Sequence, residues 1–205
     1  MAVSKPELKV TVFSDYICPF CYIGDARLNR LRTRFELKVN WCLLEIHPET
    51  SAQGEPVSSL NYPADSWKRM MATLHRMAEE ESLSLREHDF TTNSHSALQL
   101  AEASKAVDPD VFYRLHARLF EAFFCAGSNI GDLECLHSLA LDAGMTDDQI
   151  ASAWQDEAAG RRLQRYLKAA QKLRVQATPT FFIGQRRLDG AVPVEQLMAA
   201  AEAAV

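Results

Sequence analysis

The sequence predicts an α/β fold in which a helical domain is inserted after a first βαβ unit. Residues 8–17 and 37–46 alternate apolar and polar side chains, as half-buried strands do. The run between them, about 21–35, carries apolar residues at helical spacing. A strand, helix and strand of this length imply a parallel pair joined by a right-handed crossover.

The remainder of the chain divides into an insertion and a return to the sheet. Residues 47–66 contain three prolines and one glycine, which predict a loop that leads out of the sheet. About a hundred residues of helical periodicity follow, and then a long helix, a hairpin that turns at Gly184–Gln185, and a terminal helix. We therefore predict that residues 1–62 and 158–205 form one domain and that residues 63–157 form a helical insertion.

Several helix signals in the insertion are strong. Asp108 precedes a proline at the first helical position, Asp132 is a second N-cap, and Thr146 forms a capping box with Gln149. The amphipathic patterns place Leu133 and, on the last long helix, Leu167 on buried faces. They also favour a core role over a binding role for Met70, Met71 and Met77.

Cys18-Pro19-Phe20-Cys21 connects the first strand to the first helix. The first turn of a helix has unpaired N–H groups and a partial positive charge, which stabilise a thiolate placed there. Pro19 suits that turn because its missing N–H costs little. We expect Cys18 to be an exposed nucleophile and Cys21 to be the resolving thiol. A zinc site would need two further ligands in a matching knuckle, and the sequence has no second Cys-x-x-Cys, so we expect no metal.

The second half of the expected site is Thr178-Pro179, directly before the strand Phe181–Ile183. In a thioredoxin-like layout, where a Cys-x-x-Cys motif opens the first helix, the proline directly before this later strand is expected to be cis. The backbone of Thr178 would then pair with an extended substrate at an exposed edge, and the ring would shield the two sulfurs. The alternative is a trans proline that begins an edge strand.

Bulk properties exclude several classes of function. The chain of 205 residues has a formal net charge of −5, which gives no reason to expect nucleic-acid or anionic-membrane binding. No apolar run approaches the ~20 residues of a membrane span, and the first residues lack the apolar region of a signal peptide. We therefore expect a cytoplasmic protein. Five cysteines without framework spacing argue against a secreted disulfide scaffold.

These motifs together resemble the DsbA family, and more closely its FrnE-like cytosolic branch. The resemblance rests on Cys18–Cys21 after Phe13-Ser14-Asp15, on the helical insertion, and on Ala177–Phe181, and it covers nearly the whole chain. It implies a thioredoxin fold with a helical insertion and disulfide exchange with protein or small-molecule thiols. The Pro-Phe spacer departs from the Pro-His of periplasmic members, and because Phe20 cannot hydrogen-bond, strong oxidising power is not expected.

Two other functions remain open from the sequence. One is a glutathione-dependent isomerase or transferase resembling hydroxychromene carboxylate isomerase, although such relatives typically carry serine at the first motif position. The other is a redox-inert peptide-binding or chaperone module. We expect no bound cofactor besides the redox-active cysteine pair, with glutathione as a candidate co-substrate. The oligomeric state stays open.

Weaker candidates surround the motif. Asp15 could accept a proton beneath the redox helix, and His47 could lie near the site at the end of a strand. Asn93 and His95 open an insertion helix that could overhang the cleft, where Asn93 is equally a helix cap. Cys42, Cys125 and Cys135 are interpreted as buried inert thiols. The alternative for Cys125 and Cys135 is a second redox pair or, with His137, a poor metal site.

Overall fold

The computed structural model describes residues 5–86 and 89–205. Within them the strands are β1 (Glu7–Ser14), β2 (Glu36–Leu43), β3 (Glu55–Pro56), β4 (Phe90–Thr91), β5 (Thr180–Ile183) and β6 (Arg186–Asp189). The main sheet has the order β2-β1-β5-β6, in which β1 runs parallel to β2 and antiparallel to β5. The predicted parallel pair and the terminal hairpin are therefore confirmed.

Helices cover the sheet and build the insertion. They are α1 (Pro19–Asn29), α2 (Ala64–Glu80), α3 (His95–Ser104), α4 (Pro109–Glu121), α5 (Leu133–Ala143), α6 (Asp147–Ala153), α7 (Glu157–Lys172) and α8 (Val194–Glu202). Short turns of 3-10 helix lie at Arg30–Thr33 and Val57–Leu60, and one turn of π-helix lies at Ala122–Ala126. None of the described helices is both long enough and apolar enough to cross a membrane.

The predicted caps are confirmed. Asp108 accepts hydrogen bonds from two backbone N–H groups of α4, and Asp132 accepts one from Glu134. Thr146 and Gln149 satisfy each other's backbone in a capping box at the start of α6. These side chains pair N–H groups that the helices themselves leave open, which fixes where each helix begins.

The strand and helix that meet at the motif are shorter than predicted. β1 ends at Ser14, because Asp15–Ile17 form a turn in which the Cys18 N–H donates to the carbonyl of Asp15 at 3.3 Å. The α1 helix continues to Asn29 and then tightens into 3-10 geometry. The turn thus places Cys18 beyond the C-terminal end of β1, outside the sheet.

Both faces of the sheet are covered. Leu8, Val10 and Val12 of β1 belong to the large core that also contains Leu28 and Leu31 of the first crossover. On the opposite face Phe13, Cys42 and Leu44 form a buried cluster with Ala170 of α7. Cys42 is therefore the buried apolar residue that the sequence predicted.

Two apolar residues were placed wrongly by periodicity. Leu133 is 50% exposed because it is the first residue of α5, directly after the cap and beyond the packed turns. Leu167 is 42% exposed because α7 contacts the sheet through a narrow stripe that includes Tyr166 and Ala170, and Leu167 falls beside it.

Ion pairs hold helices of the insertion against α1 and α7. The buried guanidinium of Arg27 on α1 binds Glu80 at 2.7 Å, Glu81 at 2.9 Å and the carbonyl of Ala191 at 2.6 Å. A second buried carboxylate, Glu102 on α3, accepts from Arg162 of α7 at 2.8 Å. Removing one member of such a pair leaves a buried charge, so these contacts fix α2 over α1 and α3 over α7.

Candidate active site

Cys18 is the N-cap of α1, and Pro19 occupies the first helical position, as predicted. The carbonyl of Cys18 accepts the Cys21 N–H at 2.9 Å, so the first helical turn brings the two thiols together. Both cysteines are free thiols in this structure. Cys18 is 6% exposed and Cys21 is 1% exposed, which corrects the expectation of an exposed nucleophile while keeping Cys18 the more accessible of the two.

The two thiols have opposite acidities. A hydrogen bond from the Cys21 thiol is the main cause that lowers the pKa of Cys18, against the effect of burial. Burial raises the pKa of Cys21 well above its ordinary value, and its hydrogen bond to Cys18 adds to the rise. The proton is therefore held on Cys21, and the negative charge is stabilised on Cys18, the form that attacks disulfides.

Ser14 and the backbone of Asp15 contact the Cys21 thiol. Hydrogen bonds from the Ser14 side chain and from the Asp15 backbone lower the pKa of Cys21, although burial outweighs them. Ser14 is the last residue of β1 and is buried. Ser14 was not predicted from the sequence to be a site residue. The signal that could have identified it is its position at the end of a strand, four residues before Cys18.

Thr178-Pro179 is cis, which confirms the prediction. The Cys18 Sγ donates to the carbonyl of Thr178 at 3.4 Å, so this segment lies against the first cysteine of the motif. The following strand, β5, pairs on both sides and is not a sheet edge, so the expected strand addition has no room beyond Thr178. Residues 176–178, which precede β5, remain partly exposed.

Pro179 packs directly on α1. A Cβ atom added to Gly24 would lie 2.8 Å from the Pro179 Cγ and 3.1 Å from the Phe181 ring. Glycine therefore allows the redox helix to approach the cis-proline. Gly24 lies three residues after Cys21, and no local pattern in the sequence predicts which side chain it faces.

Asp15 is fully buried below the motif. Its carboxylate accepts from the Ile46 N–H at 2.9 Å, from the Ser94 hydroxyl at 3.0 Å and from the Ile17 N–H at 3.3 Å. Burial nevertheless raises the pKa of Asp15 to about 7. The group can therefore take up or release a proton near neutral pH, one residue along the chain from Ser14.

The other candidate polar residues divide into two places. His47 lines a cavity beside Cys18, with its Nδ1 3.6 Å from a carboxylate oxygen of Glu49. Asn93 and His95 instead bind Glu45, at 2.8 Å and 3.0 Å, and neither lines that cavity. Their neighbours still reach the site, because the Ile46 backbone N–H and the Ser94 hydroxyl donate to Asp15.

The cavity has a volume of about 400 Å³ and opens onto Cys18 and Thr178. Aromatic side chains line much of it, namely Phe20, Tyr62, Trp67, Phe90, Phe123 and Phe124. Met70 and Met71 also line it. Met71 packs in addition against the buried cluster that Met77 contacts, so the core role predicted for Met71 and Met77 is confirmed, whereas that predicted for Met70 is wrong. Helix α2 and the segment around Val57–Leu60 roof the cavity, which explains the burial of Cys18.

The remaining cysteines do not join this site. Burial raises the pKa of Cys42 to about 11. Cys125, which is only partly buried, donates to the carbonyl of Ser84 at 3.1 Å and lies 3.4 Å from the Tyr22 hydroxyl. His137 binds Asp147 at 2.8 Å. Cys125 and His137 therefore contact different residues.

The four-stranded sheet, the Cys-x-x-Cys motif at the N-terminus of α1 and the cis-proline against its first cysteine define a thioredoxin fold with a helical insertion. Sequence comparison agrees: the model of the DSBA-like thioredoxin domain matches residues 9–202. The chain belongs to this family of thioredoxin-fold oxidoreductases.

Individual relatives are consistent with that assignment. The chain is 28% identical over 183 residues to the protein YwbO of Bacillus subtilis (strain 168), covering 89% of this chain and 90% of YwbO. A probable DsbA oxidoreductase from Streptomyces coelicolor has a similar structure, with a TM-score of 0.83, 21% identity, and coverage of 97% of this chain and 90% of its own. A 2-hydroxychromene-2-carboxylate isomerase matches with a TM-score of 0.71, 19% identity, and coverage of 95% and 93%. At these identities the two structures share the fold.

Proposed function

We propose that this protein is a thiol–disulfide oxidoreductase in which Cys18 attacks and Cys21 resolves. The Cys18 thiolate attacks one sulfur of a substrate disulfide, forming a mixed disulfide and releasing the first thiolate. Cys21 then loses its proton and attacks the Cys18 sulfur, which releases the second thiolate and leaves a Cys18–Cys21 disulfide. The protein is oxidised by two electrons as the substrate disulfide is reduced, and the reverse sequence oxidises a dithiol.

One observation carries the proposal. The two thiols are in contact, and their acidities are separated in the direction that the mechanism needs, with the pKa of Cys18 lowered and that of Cys21 raised. A nucleophile must be ionised before substrate arrives, whereas a resolving thiol that stays protonated does not compete with it. The neighbouring cavity gives a disulfide access to Cys18 and not to the more deeply buried Cys21.

Other residues support the two steps. Thr178 and Pro179 would dock the substrate, with the Thr178 carbonyl exchanging its bond to Cys18 for one to the substrate backbone. Asp15 would take the proton that leaves Cys21, since burial raises its pKa to about 7 and its carboxylate lies close enough to the motif for its charge to raise the pKa of Cys18. Pro19 and Phe20 form the rim through which substrate reaches Cys18.

The spacer bears on the direction of electron flow. Phe20 cannot donate a hydrogen bond to the Cys18 thiolate, so the dithiol is not strongly stabilised from that side. We infer a moderately reducing pair that exchanges with glutathione or another cellular thiol. This inference supports the proposal that the chain belongs with the FrnE-like cytosolic branch of its family.

Turnover of a disulfide by single-cysteine variants tests the proposal. The wild-type protein should catalyse reduction of insulin by dithiothreitol or glutathione, and Cys18→Ser should abolish this activity. Cys42→Ser is the matched control, because that thiol is buried on the far face of the sheet, and it should keep wild-type turnover. Undiminished turnover by Cys18→Ser would refute the thiol mechanism.

A second function is supported by the cavity itself. An apolar space of about 400 Å³ beside Cys18 could hold an aromatic substrate while glutathione binds along Thr178, as a glutathione-dependent isomerase or transferase requires. Such an enzyme needs no resolving thiol. Conversion of a hydroxychromene carboxylate by Cys21→Ser protein in the presence of glutathione would favour this function over disulfide exchange.

A further inference from the structure

The shape of the cavity beside Cys18 restricts what can approach this thiol. Its walls include the start of α1, one face of α2, the segment before α2 and the π-helical turn Ala122–Ala126, and residues 46–47, 85–86, 90–91 and 176–178 complete them. Tyr62 and Trp67 stack at its rim with ring centroids 5.9 Å apart. A space of about 400 Å³ enclosed in this way falls within the range of small-molecule sites and holds a compact group more readily than an extended strand.

The lining is predominantly apolar, and six aromatic rings and two thioethers are among its side chains. Flat rings such as Phe20 and Trp67, together with the flexible side chains of Met70 and Met71, suit a flat apolar body. A polar tripeptide such as glutathione would leave most of this surface unmatched, because its charged groups would lose water without gaining partners.

The charge of the lining is one-sided. Among residues 5–86 and 89–205, the ionisable side chains that line the cavity besides the thiol and a tyrosine are Arg86, His47 and His75, and no lining residue described there is Asp or Glu. Arg86 is exposed and donates to the carbonyl of Ala126 at 2.9 Å through one guanidinium nitrogen. The chain as a whole has a formal net charge of −5, so this absence of described acids is local to the cavity.

We propose that the substrate of the Cys18–Cys21 pair is a low-molecular-weight disulfide with an aromatic body and a carboxylate or similar anionic group. The aromatic body fills the cavity, the anionic group faces Arg86 and the histidines, and the disulfide sulfur lies at Cys18. This inference rests on the proposed function. Cys18 forms the mixed disulfide and releases one aryl thiolate; Cys21 releases the second, and an external thiol such as glutathione returns the pair to the reduced state.

Binding is tested without the thiol chemistry. Titration calorimetry of Cys18→Ser protein with 2-naphthoate should show one site per chain, and naphthylmethylammonium should bind at least about tenfold more weakly. Arg86→Gln should weaken naphthoate binding about threefold to fivefold, the size expected for an exposed charge pair. Arg86→Lys should restore it. Arg69→Gln is the matched control, because Arg69 lies exposed on α2 and does not line the cavity.

Reduction kinetics test the substrate class. Trp67→Ala, with Tyr62→Ala as a second variant at the exposed rim, should slow reaction of the reduced protein with dithiobis-nitrobenzoate by about tenfold. The same variants should leave the rate with glutathione disulfide unchanged. Lys68→Ala, next to Trp67 but outside the cavity lining, should match the wild type with both disulfides.

The outcomes separate this inference from the proposed function. If the wild-type protein reacts with no disulfide, the proposed function is overturned, whether or not naphthoate binds. Equal affinity for the two naphthalenes, or rates that Trp67→Ala and Tyr62→Ala leave unchanged, would overturn the substrate class alone. Slowing of insulin reduction by the same factor as dithiobis-nitrobenzoate would also overturn it, because the cavity would then receive a side chain of a protein substrate.

Discussion

The Sγ of Cys18 donates a hydrogen bond to the carbonyl oxygen of Thr178 at 3.4 Å, across 160 positions of sequence. This contact joins the N-terminus of α1 to the segment before the cis-proline, so the proposed nucleophile and the proposed docking backbone lie together. Because a carbonyl accepts only from the protonated thiol, the bond is lost whenever Cys18 ionises. In the proposed mechanism the freed carbonyl then accepts from the substrate.

The acidity of Cys18 should depend on Cys21. Replacing Cys21 with alanine removes the hydrogen bond that contributes most to lowering the pKa of Cys18, so that pKa should rise. Cys21→Ser keeps a hydroxyl donor in the same place and should raise it less. The pH dependence of Cys18 alkylation by iodoacetamide, mapped by mass spectrometry, measures both. An unchanged profile in Cys21→Ala would mean that the helix terminus alone sets the acidity.

Ser14 should influence the second step and not the first. Its hydrogen bond to Cys21 lowers the pKa of that thiol, so Ser14→Ala should leave Cys21 harder to ionise and the mixed disulfide on Cys18 longer-lived. Quenched-flow mass spectrometry would follow the mixed disulfide after one turnover. Equal lifetimes in wild type and Ser14→Ala, or an altered rate of initial attack by Cys18, would contradict this role.

Gly24→Ala should destabilise the site. The added Cβ would lie 2.8 Å from the Pro179 Cγ, so α1 and the proline loop must separate, at a cost of about 1–3 kcal/mol in unfolding free energy. Gly160→Ala on α7 is a matched control, because a Cβ there meets nothing within 4 Å. That change should be neutral or stabilise by up to about 1 kcal/mol. Denaturant midpoints compare the two, and equal effects would exclude a special packing role for Gly24.

Asp15 should make the protein less stable as the pH rises. Its pKa is raised from 3.8 to about 7 by burial, so the folded chain retains a proton that the unfolded chain has already released. The stability from this group is therefore fully present below its unfolded pKa and is lost as the pH rises toward its folded pKa. From pH 5 to 7 the loss should be roughly 2 kcal/mol.

Asp15→Asn should remove that slope, since an asparagine does not titrate. Asp148→Asn, exposed on α6, serves as the control and should keep the wild-type pH profile. Denaturant unfolding at a series of pH values provides the measurement. A slope in Asp15→Asn equal to that of the wild type would assign the pH dependence to other groups.

Local signals predicted much of the fold and the centre of the site. A thiol, a proline and a helix start are adjacent in sequence, so Cys18 and Pro19 could be placed at an N-terminus without knowledge of the rest. The caps at Asp108 and Thr146 are likewise complete within four residues. The cis bond before Pro179 followed from recognising the layout as a whole.

What the sequence could not predict depends on contacts between distant elements. Periodicity identified an apolar stripe on α2, but it could not say whether another element or an open cavity covers Met70 and Met71. The burial of Cys18 arises from that same roof, and Gly24 is explained by a proline 155 positions away. Each of these features depends on a contact with residues far away in the sequence, which the local sequence pattern does not identify.

The most direct test of the central claim is to locate the mixed disulfide. Cys21→Ala protein, reduced and then treated with a limiting amount of a disulfide substrate, cannot resolve the intermediate internally. Peptide mapping by mass spectrometry should find the substrate thiol on Cys18, and the adduct should persist until an external thiol is added. An adduct found mainly on Cys125 or Cys135, or none at all, would contradict Cys18 as the nucleophile.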